Sequence, residues 1–489
     1  MIHNYLLMRK DDYITSCQFD ENGNLIRFAP IETNHELAPL QSKISSAYLR
    51  EWWNDRAIPI KQGKIEAMLR KAKIYTSNQF LVNNLGLSLT DYYWVKPITS
   101  SLTWRDVNLY ENDFKENILV SINKPEAKTK TYNPNSSLLG ELEKSWIILN
   151  GERYLIKGNR TELSHESLNE FIISQAYKMQ GYDNYTSYEL LKIKDRNYEY
   201  GCMSKQFTSL QRELILAYAI VTSEHKPNNI SYFEHFVNIC AKNGIDKTQL
   251  HHDLDIMIQM DFCFSSRDRH LANIAVIRDY ESLRFIRLAP IYDNGKSMFV
   301  YDEVPRSDIA LLNIPTNSFF KDEVRTLKVV QDKKALDINK LPSKEQIINV
   351  YNMDSKMAQY PERINKIATA YERKIDLFDK WQHGQDLNHI RFSVHLTIQN
   401  EEIEKIIRKL TKIRTDIESA KKILVENPFS DDGDEAGKRI IMLNKKIRDI
   451  QKDAIKNSNR YGMSKNELMM YFAENGFPWK EDSGFFKVK

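Results

Sequence analysis

The chain has 489 residues, which is too long for one hydrophobic core and predicts roughly two to four domains. With 42% hydrophobic and 28% charged residues it has a globular composition, and its net charge of +4 does not by itself indicate nucleic-acid binding. The 4 cysteines are scattered without a C-x-x-C pair, so neither a zinc site nor a disulfide framework is expected. No signal peptide is recognised, and the longest apolar run, residues 214–221, is far shorter than the ~20 residues of a membrane span. We therefore predict a cytoplasmic protein without membrane contact.

The first 124 residues predict a module that combines a β-hairpin with helices. Two strand-like runs, residues 13–19 and 25–28, flank an Asn-Gly pair, which is a strong signal for a hairpin turn. Helical spacing of apolar residues around Trp52 predicts one helix, and residues 61–73 predict a second. No chemistry can be attached to this module, and we expect a docking or regulatory role.

A second hairpin follows a polar segment, residues 125–137, which predicts a linker or a mobile loop. The strands are residues 145–149 and 154–157, joined by Asn150-Gly151. The loop before the hairpin contains Gly140, and its backbone N–H groups could cover nucleotide phosphates. The alternative is an ordinary surface loop.

Lys157 ends the second strand of this hairpin and has two interpretations. A lysine among apolar strand residues can extend its ammonium to the sheet edge, or it can hold the α- and β-phosphates of a nucleotide. Glu170, near the start of a helix predicted over residues 164–181, could form an ion pair with Lys157. Alternatively, Glu170 only completes a capping box that begins at Ser167.

The middle of the chain predicts strands and then three helices. Residues 185–207 predict strands, and residues 198–205 lie where a hinge between two lobes is expected. There Cys202, Met203 and Ser204 could face adenine through backbone groups, although their side chains are also typical of packing. The helices are predicted over residues 210–221, 231–243 and 247–262.

The strongest chemical pattern lies between residues 268 and 293. Asp268 is followed by Asn273, and a predicted hairpin of residues 274–277 and 283–288 would return the chain to Asp293. In phosphoryl transfer one carboxylate orients the attacking hydroxyl, while an amide and a second carboxylate hold Mg²⁺. We predict Asp268 in the first role and Asn273 with Asp293 as metal ligands. The alternative is that Asp293-Asn294-Gly295 is only a turn and Asp268 a solvated acid.

The C-terminal third predicts helices. Residues 343–381 should complete a larger lobe. Apolar residues at steps of three and four over residues 403–424 and 440–454, with a loop predicted at 427–437 between them, indicate a helical hairpin with a coiled-coil seam. The two helices could bury the apolar seam against each other, or the seam could pair with another chain. The basic run 438–460 is typical of a solvated face, with an acidic partner or RNA as the alternative.

Three motifs resemble the HipA family of bacterial serine/threonine kinases. They are D-R-H-x-x-N at 268–273, L-A-P-I-Y-D at 288–293 and S-x-x-G-x-x-E-K at 137–144. The first is also similar to the phosphoinositide-kinase superfamily, whereas the second favours HipA. The order of the elements, from phosphate loop to metal-binding Asp, is that of a kinase. In this family His270 would prop the catalytic loop rather than act as a base.

The resemblance implies a function and a set of partners. It implies ATP and Mg²⁺ as cofactors, with Lys157 as a catalytic residue and Ser137, Gly140, Lys144, Lys157, Glu170, Met203 and Ser204 at the nucleotide. In the family a serine of the phosphate loop can be autophosphorylated, which ejects the loop and silences the enzyme. By position this is Ser137, and the adjacent Ser136 leaves the assignment open. Family members often act as growth-arresting toxins that phosphorylate an aminoacyl-tRNA synthetase. A protein substrate and a DNA-binding antitoxin are therefore expected partners, with nucleic acid involved only indirectly.

The predicted fold class is α+β, with a two-lobed, protein-kinase-like core of HipA type, an α/β N-terminal module and a C-terminal helical hairpin. The predicted domains are residues 1–124 (module), 125–208 (small lobe), 209–390 (large lobe) and 391–489 (hairpin and tail). A kinase for a small molecule or lipid, and a catalytically silent nucleotide-binding scaffold, are the alternatives. A homo-oligomer formed through the helical hairpin is a further expectation.

Overall fold

The computed structural model describes residues 2–40, 47–59, 69–70, 73–114, 132–194, 196–392, 401–426, 430–458 and 463–479. It mixes helices with several small sheets, which is consistent with the predicted α+β class. The chain divides into two compact units, Met1–Val304 with Ile314–Gln382, and Pro305–Asn313 with His383–Lys489. Within the described ranges, every helix is too short or too polar to cross a membrane.

An antiparallel sheet opens the first unit. Its strands have the order β3-β2-β1-β4 and comprise β1 (His3–Arg9), β2 (Asp12–Phe19), β3 (Leu25–Phe28) and β4 (Tyr93–Pro97). The predicted hairpin is confirmed as β2 and β3, and Gly23 in its turn has a φ of 79°. The helices here are α1 (Ala47–Arg56), α2 (Ser77–Asn83) and α3 (Trp104–Val107). The helix predicted over residues 61–73 lies largely outside the described residues.

A second antiparallel sheet contains the other predicted hairpin. Its order is β5-β6-β8-β7, with β5 (Lys144–Leu149), β6 (Glu152–Lys157), β7 (Glu189–Lys192) and β8 (Tyr200–Lys205). Asn150 and Gly151 connect β5 to β6 with φ values of 52° and 81°, the left-handed pair that a tight hairpin turn requires. Helix α4 (Glu166–Gln180) packs against β7 and β8.

A third sheet has the order β11-β10-β9 and corrects one helix prediction. It contains β9 (Arg212–Leu216), β10 (Ala275–Asp279) and β11 (Phe285–Leu288). The helix predicted over residues 210–221 is wrong in its first half, because residues of β9 pair with β10 and the helix begins only at Ala217. The physical reason is tertiary: Glu213 is fully buried and needs partners that only neighbouring strands supply. The helices of this region are α5 (Ala217–Val221), α6 (Tyr232–Lys242) and α7 (Lys247–Cys263).

The N-terminal sheet is joined to the third sheet by buried charge. Arg9 donates to Glu213 at 2.5 Å, and Arg278 donates to the same carboxylate oxygen at 2.8 Å. Lys10 donates to the carbonyl of Leu210 at 2.6 Å, which lies in the segment that joins the second sheet to the third. The N-terminal residues therefore form part of the first unit's interior and hold this connection in place.

The first unit ends with helices that pack on α7 and α4. Helix α8 (Asp308–Leu312) interrupts the sequence and belongs to the second unit, after which come α9 (Glu323–Leu327), α10 (Lys344–Tyr351) and α11 (Pro361–Gln382). The helical prediction for residues 343–381 is confirmed in the main, since α10 and α11 occupy most of this range. Ser343 and Gln346 form a capping box that starts α10.

The second unit contains the predicted helical hairpin. Its further helices are α12 (Leu387–Phe392), α13 (Glu401–Glu426), α14 (Asp431–Lys456) and α15 (Lys465–Glu474). Helices α13 and α14 pack on each other through buried Leu410, Ile417 and Leu443, so their seam is satisfied within the chain. The predicted loop 427–437 is wrong from residue 431 onward. Ser430 caps the helix there, and acidic residues are favourable in a first helical turn.

Candidate active site

Lys157 is the centre of a buried charge cluster. It ends β6, is only 4% exposed, and donates to Glu170 Oε1 at 2.7 Å and to Asp293 Oδ1 at 2.8 Å. Its third contact is the hydroxyl of Tyr188 at 3.1 Å. Burial alone would lower the pKa of Lys157, but Asp293 and Glu170 outweigh it and hold this pKa well above its usual value. The ammonium is therefore charged and fixed in position.

Helix α4 presents Glu170 to this cluster. The helix begins at Glu166 after His165, which makes no side-chain cap, so the capping box proposed for Ser167 and Glu170 is not formed. Glu170 uses one carboxylate oxygen for Lys157 and the other for the backbone N–H of Asn294 at 2.8 Å. One buried side chain thus connects the β6 lysine to the loop that carries Asp293.

The loop that begins at Asp293 is held on both sides. Asp293 has a φ of 61°, a left-handed conformation that Asp and Asn tolerate better than most residues. Asn169 donates to the carbonyls of Gly295 at 2.9 Å and Ser297 at 2.8 Å. Burial would raise the pKa of Asp293, yet Lys157 and Lys144 lower it well below its usual range. The two lysines therefore favour the ionised form of the Asp293 carboxylate.

Asp268 and Asn273 lie in one loop after α7. The side-chain amide of Asn273 donates to the backbone carbonyl of Asp268 at 2.9 Å, which fixes the amide and assigns its nitrogen to the loop. The carboxylate of Asp268 receives the ammonium of Lys296 at 2.9 Å and the side-chain amide of Asn317 at 3.4 Å. Burial alone would lower the pKa of Lys296, but the bond to Asp268 outweighs burial and raises this pKa. His270 lies 3.9 Å from the same carboxylate and donates its backbone N–H to the Asp268 carbonyl.

Arg269 connects this loop to the Asp293 loop. It is 2% exposed, and its guanidinium forms two bonds of 2.9 Å with Asp261 of α7. One of its nitrogens donates both to the carbonyl of Tyr292, at 2.6 Å, and to that of Asn273, at 3.3 Å. The predicted metal ligands Asn273 and Asp293 are thus held near each other by one guanidinium as well as by the hairpin of β10 and β11.

A cavity of about 980 Å³ is lined by Lys157, Asp268, Asn273 and Asp293. This is at the upper end of the ~300–1,000 Å³ typical of small-molecule sites. Residues from the second sheet, the Asp268 loop, the Asp293 loop and the N-terminal module all line it. The predicted site residues among its walls are Ser137, Gly140, Lys144, Lys157, Ser204, Asp268, Asn273 and Asp293.

The predicted phosphate loop forms one wall of the cavity. Lys144 donates to the carbonyl of Leu139 at 3.0 Å and lies so close to Gly140 that a Cβ there would approach its ammonium to 2.5 Å. Ser137 lines the cavity and donates to the carbonyl of Leu87 at 2.8 Å. Ser136 is fully buried, and its hydroxyl finds no hydrogen-bond partner among the described residues. The two serines therefore differ in access, and Ser137, the one indicated by its position in the sequence, is the one at the cavity.

The linker prediction for residues 125–137 is wrong at its C-terminal end. Residues Pro134–Ser137 form a short 3-10 helix packed on the N-terminal module. The carbonyl of Ser136 accepts from the backbone N–H of Ile58 at 3.0 Å. The backbone N–H of Asn133 donates to the side-chain oxygen of Asn84 at 2.7 Å. The part of the prediction before residue 132 lies outside the described residues.

The predicted hinge, residues 198–205, has to be reassigned to a later segment of the chain. Residues Tyr200–Lys205 form β8, an inner strand whose two neighbours already use its backbone groups. Met203 packs with Ile147 and Ile156 on the face opposite the cavity, so its side chain is not at the site, whereas Ser204 is. Strand alternation explains the difference. The segment that joins the second sheet to the third is residues 206–211, and Gln206, Phe207 and Thr208 line the cavity.

The donor set can be tested for its fit to Mg²⁺ and a nucleotide. Mg²⁺ typically takes one or two carboxylates and completes its shell with water and substrate phosphates. Asp293 and the oxygen of Asn273 fit this pattern. The described residues contain no cluster of three or more His, Cys, Asp or Glu that could hold a metal without a ligand's help. Four lysines line the cavity, Lys144, Lys157, Lys205 and Lys296, and their ammonium groups suit an anionic ligand.

Comparisons with known proteins give one kind of match. No protein-family model matches the sequence, and no curated protein does. Among solved structures 22 chains match, including the crystal structure of a Helicobacter pylori proinflammatory kinase, CtkA. The match has 17% identity and a TM-score of 0.36, and it covers 49% of this chain and 94% of CtkA. At this TM-score the two folds cannot be equated, and the function has to follow from the chain's own residues.

Four residues at the site were missed from the sequence: Arg269, Lys296, Tyr188 and Asn169. Arg269 and Lys296 lie within or beside the motifs that were recognised, so proximity to a motif was the available signal. Asn169 directly precedes the predicted site residue Glu170, so its position was a signal too. Tyr188 had none, because a tyrosine in a strand region is common. The contacts of Tyr188 with Lys157 and of Asn169 with the Asp293 loop come from elements distant in sequence.

His165 gives a pH-dependent prediction for the support of the Asp293 loop. Its Nε2 lies 3.3 Å from the carbonyl of Met298, and burial lowers the pKa of His165 to about 4. Because the unfolded chain takes up this proton from about pH 6.5 downward, stability is full above that pH and falls as the pH drops towards 4. The expected loss is about 3 kcal/mol at pH 4. Urea unfolding of His165→Gln, which keeps a donor but cannot titrate, should show a shallower acid slope; an unchanged slope would contradict the assignment.

Proposed function

We propose that the chain is an ATP- and Mg²⁺-dependent kinase that transfers the γ-phosphate to a serine or threonine hydroxyl of a protein. The observation that carries the proposal is the position of Lys157, which bonds at once to Glu170 and Asp293 in a cavity that also contains Asp268 and Asn273. A charged lysine held between a helix and a metal-binding acid is what phosphate positioning requires. Residues 132–205 then correspond to the small lobe of a kinase-like core, and residues 212–304 with 314–382 to the large lobe.

The chain's own residues supply the phosphate contacts, the metal ligands and the base for in-line transfer. Lys157 holds the α- and β-phosphates, and Lys144 with the backbone around Gly140 covers the phosphate chain. Bound Mg²⁺, held by Asp293 and Asn273, would neutralise charge on the phosphates. Asp268 orients the acceptor hydroxyl and accepts its proton. Positioning and electrostatic stabilisation account for most of the catalysis in such sites.

The finer parts of the proposal concern substrate and regulation. Resemblance to HipA kinases supports a growth-arresting kinase in the cytoplasm, with an aminoacyl-tRNA synthetase as substrate and an antitoxin as partner. Autophosphorylation is proposed at Ser137 rather than Ser136, because Ser137 lines the cavity and Ser136 is buried. Phosphate on Ser137 would break its bond to Leu87 and displace the loop from the N-terminal module.

The proposal is tested by phosphate transfer from labelled Mg-ATP, alone and with cell lysate. Asp268→Ala should lower the transfer rate by a factor on the order of 10²–10⁴, the usual contribution of a general base. Label on the chain should map to Ser137, and label on a lysate protein would identify the substrate. Intact mass must first establish that the purified chain carries no phosphate.

Other outcomes separate the alternatives. Label on a small molecule or lipid and none on protein would favour the corresponding kinase. Complete absence of label from unphosphorylated protein, with nucleotide still bound, would favour a silent scaffold and overturn the kinase proposal. Label that persists in Asp268→Ala at the original rate would show that Asp268 is not the base.

A further inference from the structure

Lys296 is a charged side chain that the mechanism above leaves without a role. Its ammonium is 2.9 Å from Asp268 Oδ2 and 3.9 Å from Glu141 Oε2, and its side chain is 33% exposed at the wall of the cavity. Asp268 belongs to the candidate catalytic loop, and Glu141 belongs to the candidate phosphate loop. Lys296 therefore lies where these two loops face each other, which is where a terminal phosphoryl group and an acceptor hydroxyl must meet.

The backbone of Lys296 is held on both sides, and its side chain lines the cavity. Asn169 bonds to the carbonyls on either side, those of Gly295 and Ser297, and the carbonyl of Lys296 itself accepts from the backbone N–H of Arg267 at 3.4 Å. A Cβ on Gly295 would come within 3.1 Å of Glu166, so the loop is packed tightly at this point. The ammonium thus moves only through rotation of its four-carbon stem.

The four lysines that line the cavity are engaged differently, and Lys205 pairs with Glu152 at 3.1 Å. Lys157 has two carboxylate partners, and Lys144 donates to the carbonyl of Leu139. Lys296 is the one bonded to Asp268, the group that must accept a proton. As long as Lys296 stays there, it neutralises the base and occupies one of its oxygens.

Distances favour a transfer of this ammonium to the nucleotide. The acceptor oxygen must come within about 2.6–3.2 Å of Asp268 and about 3–3.5 Å of the phosphorus. A cation bonded to Asp268 is therefore one side-chain rotation from the phosphoryl oxygens. We propose that Lys296 is a catalytic residue that leaves Asp268 when nucleotide binds and contacts the γ-phosphoryl group.

This inference rests on the proposed kinase function and adds one step to it. The acceptor oxygen forms a bond to the γ-phosphorus while the bond from that phosphorus to the β,γ-bridging oxygen breaks. The hydroxyl proton passes to Asp268, and ADP leaves with the electron pair of the broken bond. Lys296 stabilises the charge on the transferring group, which is the kind of interaction that is worth most in a water-poor site.

Binding of ATP compared with ADP tests the contact directly, because only ATP carries a γ-phosphoryl group. We expect Lys296→Met to raise the Kd of Mg-ATP about tenfold, the effect of one charge-assisted hydrogen bond, and to leave the Kd of Mg-ADP unchanged. Lys296→Arg should recover most of the difference, since it restores a cation. The turnover number of Lys296→Met should fall by about 10²-fold or more.

The variant Asp268→Asn should change the Kd of Mg-ATP in the opposite direction to Lys296→Met. Loss of the Asp268 charge releases Lys296, so this variant should bind Mg-ATP more tightly than the native chain although it transfers poorly. The gain should vanish in the double variant Asp268→Asn/Lys296→Met. With a lysine that merely braces Asp268, any gain caused by the lost carboxylate charge would persist in the double variant.

Lys344→Met is the matched control. Lys344 forms an ion pair of the same length, 2.9 Å with Glu372, and its side chain has nearly the same exposure, 32%, but it does not line the cavity. Both Kd values should be unchanged in this variant. If Lys296→Met alters ATP and ADP binding equally, or neither, the contact with the γ-phosphoryl is disproved while transfer by the native chain still upholds the kinase function. If the native chain neither binds nor uses Mg-ATP, both proposals fall together.

Discussion

Asp293→Asn should abolish phosphate transfer, with a rate loss on the order of 10³ or more, while the chain keeps its fold. The amide preserves the side-chain shape and tolerates the φ of 61° at this position. It lacks the charge that would hold Mg²⁺ and pair with Lys157. Because Lys157 keeps Glu170 at 2.7 Å, its ammonium is not left unpaired, and the free energy of unfolding should fall by less than about 2 kcal/mol. Initial rates with labelled Mg-ATP and urea unfolding measure the two effects.

Asp279→Asn is the control for this variant. Asp279 lies at the other end of the same hairpin and accepts hydrogen bonds from Ser282, which an Asn side chain can also accept. Transfer should be unchanged in that variant. A normal rate of Mg²⁺-dependent transfer in Asp293→Asn would show that Asp293 does not bind the metal, and the site would have to be reassigned.

Arg269→Met should cost both stability and activity. Removal of the guanidinium leaves the Asp261 carboxylate buried without its partner, and breaking a buried pair in this way costs about 3–5 kcal/mol. The carbonyls of Asn273 and Tyr292 lose the donor that they share, so the two predicted metal ligands are no longer held together. Urea unfolding should show the loss of stability, and transfer should fall even at temperatures where the variant is folded.

A double variant separates the two effects of Arg269. Arg269→Met/Asp261→Asn removes the uncompensated charge and should recover part of the stability, whereas transfer stays low because the donor to both loops is still absent. Arg267→Met, the same substitution two residues earlier, removes an exposed pair with Asp302 and should cost less than about 1 kcal/mol. Recovery of full transfer in the double variant would limit Arg269 to a structural role.

Local signals predicted the elements around the site with useful accuracy. The Asn-Gly pairs at residues 22–23 and 150–151 both lie in the turns that they predict, because few sequences tolerate the positive φ values needed there. The hairpin between Asn273 and Asp293 is present as β10 and β11. Spacing along one chain was enough here, since the residues concerned are close in sequence.

Local sequence signals could not predict the contacts between segments that are distant in the chain. Strand β9 was predicted as helix because an apolar run has no periodicity of its own, and only Arg9 and Arg278 explain why Glu213 is buried there. Met203 and Ser204 are adjacent in sequence but lie on opposite faces of β8, and which face meets the cavity depends on the partners of the sheet.

By itself the sequence determined the α+β class, the order of the elements and the residue types that phosphoryl transfer needs, because these depend on local propensity and on spacing within a motif. Only the tertiary structure decided which charges meet. The Lys157–Glu170 pair was one of two alternatives that the sequence left open, and the structure forms it. The contacts of Lys157 with Asp293 and of Lys296 with Asp268 were not predicted, because nothing in their spacing selects one acid over another. Burial determines these pairs, because a charge removed from water is stable only when the folded chain places a partner beside it.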